Sequence, residues 1–142
     1  MRVVAIKAKE LRYAVDLATN GELRDENCVR LDVPAEWSAE HLLLAALAGC
    51  SLESLRYHAR RVGVDIRSAS ASARTLVTKR ETDHRYALVE TEVELAVTLD
   101  PEPQSDALAE LLALGERDCF VGSSLTAEPT YRWTVNGRTI AS

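Results

Sequence analysis

Residues 38–50 read SAEHLLLAALAGC, and this stretch decides the fold. Ser38 offers a capping oxygen, and Glu40 falls in the first turn, where the positive end of the helix dipole favours a carboxylate. From residue 42 to residue 49 the apolar side chains surround the axis instead of forming a stripe, which predicts a buried central helix. Glu53, Arg56, Arg60 and Arg61 then restore polarity, and Gly63 supplies a stop. Cys50 closes the apolar run, so its thiol belongs to this helix.

Working outward, the segments on both sides alternate with the period of strands. Tyr13, Val15 and Leu17 share one face, Asn20-Gly21 is a hairpin turn signal, and Val29, Leu31 and Val33 alternate up to Pro34. Two or three antiparallel strands are expected there. After the helix come two long alternating segments, 66–80 and 85–99, with Thr82 and Asp83 at the turn between them. In the second, Val93, Leu95, Val97 and Leu99 lie on one face while Glu90, Glu92 and Glu94 point the other way, the pattern of a half-buried antiparallel strand. Pro101 and Pro103 break it. A helix follows near Ser105, with Leu108, Leu111 and Leu112 as its stripe and Gly115 as its end or a bend. A last strand, 130–136, alternates Tyr131, Trp133 and Val135 and closes on Asn136-Gly137. The order β-β-α-β-β-α-β predicts an α+β fold with antiparallel sheets around the long helix, not a doubly wound parallel sheet.

The chain has 142 residues, which fits one domain over 1–142 with a core of its own. A net charge of −5 with no basic run argues against nucleic acid and anionic membranes as partners. The N-terminus lacks the apolar core of a signal peptide, and the longest apolar run is far too short to span a bilayer. A cytoplasmic location is therefore expected. Three cysteines, an odd number, suit reduced thiols with at most a transient disulfide better than a secreted disulfide framework.

Few residues offer chemistry. His41, His58 and His84 have neither cysteine neighbours nor metal-ligand spacing, and neither a triad motif nor a glycine-rich phosphate loop occurs. No metal or cofactor is expected. Cys50 and Cys119 are too far apart in sequence for a zinc knuckle or a CxxC motif. Cys50 reads either as a small core residue or as a nucleophile. Burial raises a thiol pKa, so the second reading needs a positive neighbour, most simply an arginine. Cys119 lies in RDCFVGSSL, residues 117–125, where Asp118 could cap a short helix over 119–125 and place the thiol in its first turn. A buried packing contact is the alternative. Cys28, in the polar stretch RDENCVR, reads as incidental.

A carboxylate at Glu40 ten residues before the cysteine of AALAGC, a second cysteine opening DCFVGSSL, and the order of strands and helices together resemble the OsmC/Ohr family of peroxide-stress proteins. The resemblance implies an intertwined homodimer with two active sites at the subunit interface. It also implies reduction of organic hydroperoxides through cysteines, with dithiols as reductants in the Ohr branch. Cys50 matches the peroxide-attacking cysteine, Cys119 the resolving one, and Glu40 the helix-start carboxylate. Arg12, in KELRY, best matches the arginine that polarises thiolate and peroxide, with Arg24 the competitor. The chain departs from the pattern in three places. Phe120 stands where many members have proline, DVPAEWSAEH replaces a glycine-rich approach to the helix, and the Gly-Gly-Arg turn of the Ohr branch is absent. These place it nearer the OsmC-like branch. A non-catalytic dimeric small-molecule binding or redox-sensing stress protein of the same fold is the rival reading. Ten helical residues rise roughly 15 Å, so Glu40 cannot touch Cys50 of its own straight helix. Glu40 either serves the thiol site of a partner subunit or only matches the helix dipole.

Overall fold

A computed structural model describes residues 8–140, which fall into two units dividing at Trp37 and Ser38. The N-terminal unit is a three-stranded antiparallel sheet: β1 (Val15–Leu17), β2 (Leu23–Asp25) and β3 (Arg30–Leu31), in that order. Its first turn is wider than a two-residue hairpin. Ala18 N–H bonds to the Glu22 carbonyl at 2.9 Å, and Gly21 takes the left-handed φ of +87°. The second turn is built by Asp25, whose Oδ1 accepts from the N–H groups of Asn27 and Val29 at 2.9 Å each. Cys28 lies there, exposed, with a φ of +63°. Tyr13 stands outside β1, and the apolar face formed by Val15, Leu17 and Leu31 is exposed.

The second unit opens with α1 (Ala39–Arg61). Ser38 caps it as expected, but through a box closed by His41. Ser38 Oγ accepts from His41 N–H at 3.3 Å, and His41 Nδ1 accepts from Ser38 N–H at 2.9 Å. Gly63 ends the helix at a φ of +74°, with Val64 N–H reaching back to the Ala59 carbonyl. The long hairpin β4 (Asp65–Lys79) and β5 (Tyr86–Asp100) follows. Next come α2 (Ser105–Arg117), the single-turn α3 (Phe120–Ser123), β6 (Thr130–Val135) and β7 (Arg138–Ile140). Gly115 lies inside α2, buried against Leu55, and the helix continues for two more residues.

The sheet order is β4-β5-β6-β7, and β6 runs parallel to β5. The α+β class thus holds, but the sheet is mixed rather than purely antiparallel. A chain returning to the same sheet through α2 and α3 has the length a parallel crossover needs. Asn136 and Gly137, both at positive φ, turn β6 back into β7, an extra strand beyond the expected last one. The Asn136 side chain clamps that turn to β5, accepting from Leu99 N–H at 2.8 Å and donating to the Leu99 carbonyl at 3.2 Å.

The core gathers Leu47, Leu55 and Ala59 of α1 with the alternating Val93, Leu95, Val97 and Leu99 of β5. The stripe Leu108, Leu111 and Leu112 of α2, and Trp133 and Val135 of β6, complete it. The long helix is buried along one stripe only: Leu47, Ser51, Ser54, Leu55, His58 and Ala59. Leu42, Leu43 and Leu44 are half-buried, and Ala45, Ala46 and Gly49 are exposed. The apolar half of α1 thus keeps an open flank, because sheet and α2 pack on one side of the helix.

Candidate functional site

The turn after α2 carries Cys119 to the middle of α1. Cys119 is itself the N-cap of α3: its φ of −74° and ψ of 108° break the helix, and its Sγ accepts from Gly122 N–H at 3.4 Å. The expected cap, Asp118, has another task. It ends α2 and accepts from Arg117 Nε and Nη2 at 2.9 Å each, and from His58 Nε2 of α1 at 2.7 Å. The Arg117 guanidinium first, and the His58 ring with it, hold the Asp118 carboxyl down to about 2. An ionised carboxylate only accepts, so the His58 Nε2 carries the hydrogen. This pair fixes the start of the Cys119 turn to α1.

Cys119 is fully buried, whereas Cys50 is half-buried. The Cys50 thiol lies close enough to Cys119 to be influenced by it, and it also meets the backbone N–H groups of Val121 and Phe120. Burial pushes the Cys50 thiol up, chiefly, and the neighbouring Cys119 adds to this. The two backbone N–H groups pull it down. No cation is among these influences.

Around the Cys119 sulfur the structure adds three residues that the sequence did not single out. Ser51, next to Cys50, places its Oγ 3.5 Å from Cys119 Sγ while donating to the Leu47 carbonyl at 2.8 Å. Tyr131 of β6 brings its hydroxyl beside both Ser51 and Cys119 without a hydrogen bond of normal geometry, and burial raises its pKa to about 12. Gly122 makes room for this approach, since a Cβ there would stand 2.7 Å from the Tyr131 hydroxyl and 3.4 Å from the Cys119 sulfur. An open groove of about 530 Å³ runs past Glu116, Arg117, Gly122, Ser123 and Tyr131, and neither cysteine lines it.

Glu40 lies in the first turn of α1, where its own backbone N–H, then the Ser38 hydroxyl, lower its pKa. The helix is continuous from there to Cys50, so the two lie roughly 15 Å apart along one axis. Arg12 and Arg24 belong to the N-terminal unit. Arg12 pairs with Glu10 at 3.4 Å, and Arg24 pairs with Glu22 and donates to the Cys28 carbonyl, both at 3.1 Å. Among the described residues no three His, Cys, Asp or Glu side chains gather as a metal site, and no helix is long and apolar enough to cross a membrane.

A long helix packed on a mixed sheet, with a half-buried thiol meeting a buried one at its midpoint, defines an α+β protein with a cysteine pair as its candidate site. The chain belongs to the OsmC-like protein family, whose model matches residues 33–134. Solved structures share the fold at low identity. An OsmC-like protein from Mycoplasma pneumoniae is 15% identical with a TM-score of 0.68, covering 91% of this chain and 99% of that one. The organic hydroperoxide resistance protein OsmC of Legionella pneumophila is 17% identical with a TM-score of 0.57, covering 91% and 98%. The organic hydroperoxide resistance protein OhrB of Bacillus subtilis is 16% identical with a TM-score of 0.54, covering 88% and 96%. No curated protein matches the chain.

Proposed function

We propose that the chain is a thiol peroxidase that reduces organic hydroperoxides through Cys50 and Cys119. The observation that carries this reading is the meeting of the two thiols with unequal exposure: Cys50 open enough to be attacked, Cys119 sealed behind it. The Cys50 thiolate attacks the distal peroxide oxygen, the O–O bond breaks, an alcohol leaves, and Cys50 becomes a sulfenic acid. Cys119 attacks that sulfur, expels water and forms the Cys50–Cys119 disulfide. An external dithiol reduces it and is itself oxidised to a disulfide. The open apolar flank of α1 at residues 42–44 suits the organic part of the substrate.

Burial opposes the thiolate at Cys50, so a cation is required. Arg12 is assigned to that role, with Arg24 the competitor. Glu40 serves the thiol site from a partner subunit in a homodimer. Peroxide-treated protein should yield a Cys50–Cys119 peptide, Cys50→Ser should abolish dithiol-dependent turnover, and Cys119→Ser should stop at the sulfenic acid. Unchanged turnover in Cys50→Ser would sink the mechanism.

The raised Cys50 pKa favours one second reading, a redox-sensing or small-molecule binding stress protein with a sluggish thiol. Titrating Cys50 in wild type, Arg12→Ala and Arg24→Ala separates the two. A thiol below the ordinary value of about 8.5 that rises in one arginine variant supports the enzyme. An equally high value in all three supports the rival.

A further inference from the structure

The surroundings of Cys119 contain more donors than a packing cysteine uses. Gly122 N–H points at the sulfur from 3.4 Å, Ser51 Oγ lies 3.5 Å away, and the Tyr131 hydroxyl is buried near both without a hydrogen bond of normal geometry. An orphaned buried hydroxyl costs stability in the state that orphans it, and use in another state of the protein accounts for its being kept. In the reduced state described here the bonds are already allocated. Ser51 donates to the Leu47 carbonyl, so the Cys119 S–H is the group that donates to Ser51 Oγ. Tyr131 is left idle.

The state that needs three donors is a Cys119 sulfur carrying negative charge away from water. We propose that Tyr131 and Ser51, with the Gly122 N–H, are catalytic hydrogen-bond donors to the Cys119 sulfur as it leaves from the Cys50–Cys119 disulfide. This rests on the peroxidase reading above and deepens its reductive half. Cys119 is fully buried and Cys50 is not, so an external dithiol attacks Cys50. The dithiol sulfur bonds to Cys50 Sγ, the S–S bond breaks, and its electron pair departs on Cys119 Sγ. Tyr131 O–H then donates to that thiolate. Ser51 O–H can rotate from the Leu47 carbonyl to the sulfur, because the helical N–H of Ser51 still serves that carbonyl. The second thiol of the reductant attacks its own sulfur in the mixed disulfide, releasing Cys50 as thiolate and the reductant as a disulfide. Protons from the two reductant thiols restore both cysteines. Gly122 belongs to the device, since any side chain there would meet the Tyr131 hydroxyl at 2.7 Å.

The test compares the full chain with Tyr131→Phe and Ser51→Ala. Each is oxidised with one equivalent of cumene hydroperoxide, and disulfide formation is followed by thiol loss and peptide mapping. Reopening by dithiothreitol is then timed in a single turnover. Tyr131→Phe removes only the idle hydroxyl. It should slow reopening about tenfold, because a donor to a charged leaving group is lost, and slow disulfide formation less, because the same donor raises the Cys119 thiolate fraction while lowering its nucleophilicity. Ser51→Ala should slow reopening in the same direction. Wild-type reopening rates in both variants would overturn the proposal, as would equal slowing of formation and reopening, the mark of a packing role. Absence of a Cys50–Cys119 disulfide in the wild type would overturn the peroxidase reading itself, and this inference with it.

Discussion

Asp118 sits between Arg117, with two N–H donors at 2.9 Å, and the buried His58 at 2.7 Å. A carboxyl held down in the folded chain contributes stability in full above its unfolded value, here 3.8, and loses it as pH falls through its folded value of about 2. Asp118→Asn should therefore flatten the drop in urea midpoint between about pH 4 and pH 2 relative to wild type, read by circular dichroism. Parallel curves would show that this carboxylate does not anchor the turn. Of the residues around the thiols, the sequence exposed Cys50 and Cys119 through their placement and the family resemblance. It gave no sign of His58, Ser51 or Tyr131. His58 read as a histidine without metal-ligand spacing and Tyr131 as a member of a strand face, while Ser51 was not read at all. His58 and Ser51 acquire their partners across a long span of chain, and Tyr131 takes its place near them through the packing of β6, which no local pattern records.

At the scale of elements, α1 decides most. The stripe from Leu47 to Ala59 repeats at helical spacing and faces the core, with Leu47 and Leu55 both wholly buried. Leu47→Ala or Leu55→Ala should cost about 2–5 kcal/mol in urea unfolding, since each leaves a cavity in a packed layer. Arg60→Ala, on the exposed side, should stay within about 0.5 kcal/mol. Equal costs at buried and exposed positions would contradict the assignment of faces. The hairpin of β4 and β5 was legible because period-two alternation needs only neighbours in sequence. The parallel pairing of β6 with β5 was not, because strand direction is set by how the crossover through α2 and α3 docks. That pairing puts Tyr131 opposite Val93, and with it the hydroxyl beside Cys119. The strand β7 was missed because three residues are too few to show a period.

At the scale of the whole molecule, apolar surface stays open on the single chain. Leu42, Leu43 and Leu44 are half-buried, and Leu76, Val77 and Phe120 are exposed. Large apolar side chains left in water at several places invite a second copy. Sedimentation should show a homodimer, and Leu43→Glu should shift it toward monomer while lowering peroxide turnover. A wild-type monomer with full turnover would remove Glu40 from the site, since α1 holds it roughly 15 Å from Cys50 of the same chain. By itself the sequence determined what local periodicity and capping can encode. These are the long helix from Ser38, the β4–β5 hairpin, the stripe of α2, and the positions of the two thiols on their elements. Only the tertiary structure decided that the thiols meet, that one is sealed and the other open, and that Ser51, Gly122 and Tyr131 surround the sealed sulfur. The reason is physical: helix and strand patterns arise from residues a few positions apart, whereas the site arises where α1, the α2–α3 turn and β6 pack together.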